Sequence, residues 1–242
     1  MVKNSILLKA KDFKYPTKLE LQRIKTDKPK IKRFTFPYIN EVDELLIEKK
    51  SLEDVARKSQ LHWWNQCLVN RLGNLDHSFT HALVHYNRGL PDDVKVYAND
   101  DYINRVQFGY YGETYFYFFV SVRDTIAQLI NIYSKAGFEE HQIYLNDKFF
   151  KKINEVDLRK CLENFVKTTT EIVNIRNGLA HRYLLTHHDN RPTIKIQNGN
   201  PTYNAGTGTY IKSSELLTEI KKSFDHLAKF VDELDIIFQP NS

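Results

Sequence analysis

The chain has 242 residues with 41% hydrophobic, 13% aromatic and 27% charged side chains, a composition that suits one packed globular unit and excludes a disordered or collagen-like polymer. Two cysteines, Cys67 and Cys161, exclude a disulfide framework and a cysteine-rich zinc module, although one bridge between them stays open. The net charge of +5 is concentrated at one end, because residues 1–36 hold eleven Lys and Arg against three acids.

Residues 1–40 read as an irregular or strand-like basic extension, with KLELQRI alternating weakly and Pro16, Pro29 and Pro37 punctuating it. Such an arm can attract phosphates by displacing counterions, or it can be a solvated terminus. A helical pattern starts near residue 41, and Ser51 is placed to cap a helix whose first turn holds Glu53 and Asp54. Leu61, Trp64, Leu68, Leu72, Leu75, Phe79, Ala82 and Tyr86 then recur every three or four residues, which gives one long helix an apolar face. The same helix carries His77, His81 and His85 on one side. The first and third of these lie about 12 Å apart along the axis, so the three do not easily converge on one ion, although two could with a ligand from elsewhere, and the stripe is read first as a solvated face and next as a subunit-interface or RNA-facing surface.

After a break over residues 87–101, Phe119, Val122, Ile126, Leu129 and Tyr133 mark a second helix that stops at Ala136-Gly137. Residues 137–154 read as a loop with a short helical turn. A third helix is expected from about 155 to 184, with Leu158, Leu162, Phe165, Ile172 and Leu179 along one side, and a fourth from Ser213-Ser214 through Leu234. Between them, Ile194 and Ile196, then Thr209 and Ile211, alternate around turn residues, which predicts a β-hairpin with a long tip. The fold class is therefore all-α. Four long helices form a bundle over 41–242, preceded by the 1–40 extension, with a hairpin inserted at about 190–212 before the last helix.

No apolar run approaches the ~20 residues of a membrane-spanning helix, and the N-terminus lacks the apolar stretch of a signal peptide, so the protein is expected in the cytoplasm. No Gly-rich phosphate loop, HExxH or Ser-His-Asp order occurs, and no cofactor is expected.

The stretch Ile175-Arg176-Asn177-Gly178-Leu179-Ala180-His181-Arg182 is the most informative. At about 100° per residue, Arg176 falls within the apolar stripe of its helix, and an unpaired guanidinium there must face a partner, a cleft or a second subunit. His181 lies about 140° around from Arg176. An always-charged fork that fits phosphate and an imidazole that titrates near neutrality can together cleave a phosphodiester without a metal, with the ribose 2′-hydroxyl as nucleophile. Two copies of the helix, brought together by a symmetric dimer, could complete such a site. Alternatively Arg176 pairs with an internal acid such as Asp124, and His181 merely favours the negative helix end.

The R-N-x-x-x-H arrangement of Arg176, Asn177 and His181, late in a helix of an all-helical bundle, resembles the HEPN superfamily. The resemblance implies a metal-independent endoribonuclease with a composite site at a homodimer interface, leaving 2′,3′-cyclic phosphate ends. It also implies RNA as substrate and a toxin–antitoxin or phage-defence context, with an antitoxin or other defence protein as a further partner. Asp124 is a supporting candidate that would orient His181 or hold Arg176, and Arg182 one that would touch a phosphate. The alternative reading is a non-catalytic HEPN-like module that binds RNA or regulates a partner protein. Metal-dependent hydrolysis through the histidine stripe comes third.

Overall fold

The computed structural model describes residues 9–93, 98–181, 191–204 and 210–238. Its elements in chain order are α1 (Lys18–Asp27), α2 (Glu41–Leu46), α3 (Leu52–Asn87), α4 (Asn99–Tyr133), α5 (Asp147–Phe150), α6 (Val156–Thr168), α7 (Thr170–His181), β1 (Thr193–Gln197), β2 (Asn200–Asn204) and α8 (Ser213–Phe238). The all-α bundle with a hairpin before its last helix is as the sequence predicts.

The long helices α3 and α4 run antiparallel and form the spine. Ser51 caps α3 as expected, its hydroxyl accepting from the Asp54 amide at 3.1 Å. From α3, Leu68, Leu72, Leu75, Phe79 and Ala82 turn inward against Phe108, Tyr115, Phe119, Val122, Ile126 and Leu129 of α4. Helix α8 closes the core. Its Phe224 packs on Phe79 with ring centroids 4.1 Å apart, and its Phe230 stacks on Phe165 of α6 at 3.8 Å. Burying each such ring contributes about 1.5–3 kcal/mol. The start of α8 is held by Asp92, which accepts from the Ser214 amide at 3.0 Å and from its hydroxyl, an anion placed at a helix N-terminus.

Three local expectations need correction. The stretch read as irregular or strand-like contains helix α1. Thr17 and Glu20 form a capping box, with the Glu20 amide donating to Thr17 Oγ1 at 3.3 Å and the Thr17 amide to Glu20 Oε2 at 2.7 Å. This segment is also no free arm. Arg88, the residue that caps the C-terminus of α3, grips Glu20 with two nitrogens, at 2.7 and 3.0 Å, while Ile24 and Phe34 are buried in the core. Lys28 bonds Asp76 and Thr80 of α3, and Lys32 lies 3.5 and 3.6 Å from Asp232 and Asp235 of α8. Part of the basic charge is thus matched by acids of the bundle.

The single third helix is two helices, α6 and α7, broken at Thr169 (φ −111°, ψ 11°). Thr168, Thr169 and Thr170 each donate a hydroxyl to the carbonyl four residues back, Thr169 to Phe165 at 2.6 Å. Three consecutive β-branched residues bonding backward compete with the helical ladder and bend it.

The hairpin is tighter and earlier than expected. Asn198 (φ 50°) and Gly199 (φ 79°) both take the left-handed conformation that a two-residue turn needs. Strand β2 therefore follows at once, pairing Gln197 with Asn200 and Ile194 with Tyr203. Thr209, placed by the sequence reading on the second strand, lies outside the described residues. Cys67 and Cys161 are free thiols. Among the described residues no helix is long and apolar enough to cross a membrane.

Candidate nucleic-acid cleft

Helix α7 turns Ile172 and Ile175 into the core and brings the next residue, Arg176, half-buried to its edge. After the Thr169 break, α7 packs mainly against α4. Opposite, α3 presents Trp64 and Arg71, seven residues and so about two turns apart on one face. Between them α4 contributes Tyr117, Val120, Ser121, Asp124 and Gln128, again spaced by three or four. These side chains and Arg176 line one open cleft of about 390 Å³.

The cleft is rich in guanidinium groups. Arg71 Nη1 donates to the Ser121 carbonyl at 2.9 Å and to Thr125 Oγ1. Arg123 stands on the same helix as Asp124 and reaches the Leu145 carbonyl at 3.4 Å with Nη2, while its buried Nε has no partner. Burial lowers the Arg123 pKa, with Asp124 opposing the shift and Arg176 adding to it. Arg176 makes no hydrogen bond or ion pair among the described residues. Asp124 keeps an exposed edge toward the cleft. The partial burial of its carboxyl nevertheless raises the pKa above its ordinary value, against the pull of Arg123, Arg176 and Arg71. Arg71 and Arg176 bring two guanidinium groups to the cleft wall around Asp124, and planar forks fit phosphate oxygens two at a time.

Of the residues singled out in the sequence, Arg176 and Asp124 share this cleft. The alternative in which Arg176 pairs with Asp124 is corrected, because no ion pair joins them. Asn177 is exposed and is not among the cleft-lining residues. His181 closes α7, and its side chain lies outside the described residues, as does Arg182. Arg71, Trp64 and Tyr117 went unnoticed as site residues. Arg71 had a usable signal, since it stands three after Leu68 and four before Leu75 on the apolar seam, the same anomaly that exposed Arg176.

The histidine stripe also needs correction. His81 and His85 are buried, not solvated. They stack against Tyr111, with centroids at 4.7 and 5.8 Å. Burial, with Arg88 nearby, lowers both pKa values, that of His85 to about 4. Among the described residues no group of three or more His, Cys, Asp or Glu is arranged to hold a metal ion.

The chain matches the HEPN_Cthe2314-like HEPN family over residues 64–239, well over half its length. It belongs to the HEPN superfamily. The match starts at Trp64 and so takes in all the cleft-lining residues, whereas α1 and α2 precede it. No curated protein and no solved structure compared with the chain gives a match.

Proposed function

We propose that this HEPN protein is a metal-independent endoribonuclease. The observation that carries the reading is Arg176, which makes no hydrogen bond or ion pair among the described residues and lines an open cleft beside Arg71 and Asp124. The scissile phosphate lies against Arg176 and Arg71. The ribose 2′-hydroxyl gives up its proton as its oxygen attacks the adjacent phosphorus, the bond to the 5′-oxygen breaks as that oxygen takes up a proton, and a 2′,3′-cyclic phosphate and a 5′-hydroxyl form. His181 moves a proton at one of these oxygens, and Arg176 stabilises the charge that builds on the phosphoryl oxygens. Asn177 orients substrate or the imidazole, Asp124 orients the guanidiniums around it, and Arg182 adds a phosphate contact. A homodimer brings two α7 helices together and completes the site, with a toxin–antitoxin or defence role in the cytoplasm and an antitoxin or defence protein as partner.

A second reading is favoured by the position of Asn177 outside the cleft. In it the cleft holds RNA without cutting it, and the protein regulates a partner.

Cleavage of single-stranded RNA in EDTA, read by mass spectrometry, separates the two. Fragments ending in 2′,3′-cyclic phosphate, lost in His181→Ala and Arg176→Ala, are the expected result. RNA that is bound but left intact would select the second reading, and full activity in His181→Ala would remove the mechanism.

A further inference from the structure

A second concavity adjoins the Arg176 cleft. It encloses about 800 Å³ and shares the lining residues Trp64 and Gln128 with the cleft, so the two concavities are neighbours. Gln128 and Asp124 are four residues apart on α4, about 6 Å along its axis. The two concavities thus lie within about a helical turn of each other along α4.

The character of the surface changes across that turn. The cleft is cationic, whereas the concavity is walled by the rings of Tyr38, His62, Trp63, Trp64 and Phe138. Trp63 and Trp64 meet edge to face, with centroids 4.9 Å apart at 85°. Trp63 is 58% exposed, unusual for an indole with no fold to support. His62 is fixed by its Nδ1, 2.7 Å from the Phe36 carbonyl. The charged lining is acidic, from Glu41, Glu139 and Glu140. Glu41 already accepts from Ser59, and Glu139 stands 3.6 Å from His141. Phosphates are repelled by such a rim, while flat rings carrying N–H donors are held by it.

We propose that this aromatic concavity is a nucleobase subsite, taking the base of a nucleotide next to the phosphate gripped by Arg176 and preferring guanine. The inference rests on the RNA reading above. Charge sorts the substrate: phosphates stay with Arg71 and Arg176, and the base turns toward the indoles. Aromatic side chains hold unstacked single-stranded bases in this way. Guanine presents two adjacent N–H donors that a carboxylate can accept together. Uracil offers one donor between two carbonyls, which the same carboxylates repel.

The protein has two tryptophans, Trp63 and Trp64, so its intrinsic tryptophan fluorescence reports on this groove alone. The probes are an end-labelled single-stranded RNA made uncleavable by 2′-O-methylation, followed by anisotropy, and GMP, UMP and oligolysine, followed by tryptophan quenching. The RNA is expected to bind, with Trp63→Ala weakening it about tenfold, inside the range of one stacked base, and Trp63→Phe recovering most of the loss. GMP is expected to quench more strongly than UMP, and oligolysine not at all. If the RNA binds and Trp63→Ala binds it as tightly as wild type, the subsite is refuted while the RNA reading stands. Equal quenching by GMP and UMP overturns the guanine preference, and quenching by oligolysine overturns the nucleobase assignment in favour of a basic peptide. RNA that fails to bind at all removes the RNA reading and the subsite with it.

Discussion

Arg176 of α7 and Asp124 of α4 line the same cleft, yet no hydrogen bond or ion pair joins them. A guanidinium with no hydrogen bond or ion pair among the described residues adds little to folding and is available to a ligand. Arg176→Ala is therefore expected to cut RNA cleavage by about 10²–10³-fold, the scale of losing one preorganised charge donor, while the melting midpoint stays close to wild type. Arg176→Lys, which keeps the charge but not the fork, should fall between them. Single-turnover cleavage and a thermal melt on the same samples check both halves.

Asp124 gives a test with a defined sign. A carboxyl whose pKa rises on folding is neutral toward stability while protonated in both states, and it destabilises increasingly as pH rises from its unfolded toward its folded value. Its pKa is raised by burial. Asp124→Asn is thus expected to melt at or above the wild-type temperature near neutral pH, and to coincide with wild type below about pH 3. A lower melt at neutral pH would mean that the carboxylate's attraction for Arg123, Arg176 and Arg71 outweighs the effect of its burial.

The docking of the N-terminal segment has the opposite pH sign. The Arg88 hydrogen bonds hold the Glu20 pKa down at about 2, against an ordinary value of 4.5. The stabilisation is present above the unfolded value and is lost as pH falls from about 4.5 toward 2. Glu20→Gln should cost about 1–2 kcal/mol at neutral pH, an amount reduced from the full linkage value because the pair is partly solvated. The difference from wild type should vanish near pH 2. Denaturant midpoints at the two pH values measure it.

How much was legible in the chain follows from which interactions are local. The α3 seam and the Ser51 cap depend on neighbours within one or two turns, and both stand in the sequence as written. The Thr17–Glu20 capping box was equally local, but the flanking prolines and the short alternation of Leu19 and Leu21 masked it. The α6–α7 break was harder to see, because the apolar spacing continues across it and only the run of three threonines marks it. Arg176 could be singled out because a cation in an apolar stripe is anomalous on its own helix. Its cleft could not, since Arg71 lies more than a hundred residues away and meets it only through the packing of α3, α4 and α7. The burial of His81 and His85 likewise depends on Tyr111 of α4 and on the chain before α1, neither of which the α3 pattern encodes.

Core packing supplies a control that should leave the cleft alone. Phe230 stacks on Phe165 with an interplanar angle of 4°, and it is 3% exposed. Phe230→Ala is expected to cost about 3–5 kcal/mol. Tyr115→Phe, which removes the 2.7 Å contact between the Tyr115 hydroxyl and Ser223 Oγ, should cost about 1 kcal/mol, because Ser223 keeps its bond to the Ile220 carbonyl. Urea titrations of the two variants should differ in midpoint and share a slope with wild type.

Arg71 joins the fold to the proposed function, so its substitution should register in both. Through Nη1 it ties α3 to the Ser121 carbonyl and the Thr125 hydroxyl of α4, and bonds from a charged donor are worth about 1.5–3 kcal/mol. Arg71→Met keeps much of the side-chain bulk but loses those bonds, so a drop in stability of that order is expected. If Arg71 also meets a phosphate, the slope of log K against log salt for single-stranded RNA should flatten by about 0.7. Arg176→Met should flatten the slope by the same amount with no loss of stability. Binding titrations over a range of salt concentrations, paired with melts, separate the two contributions, and an unchanged slope in Arg71→Met would confine this residue to joining α3 and α4.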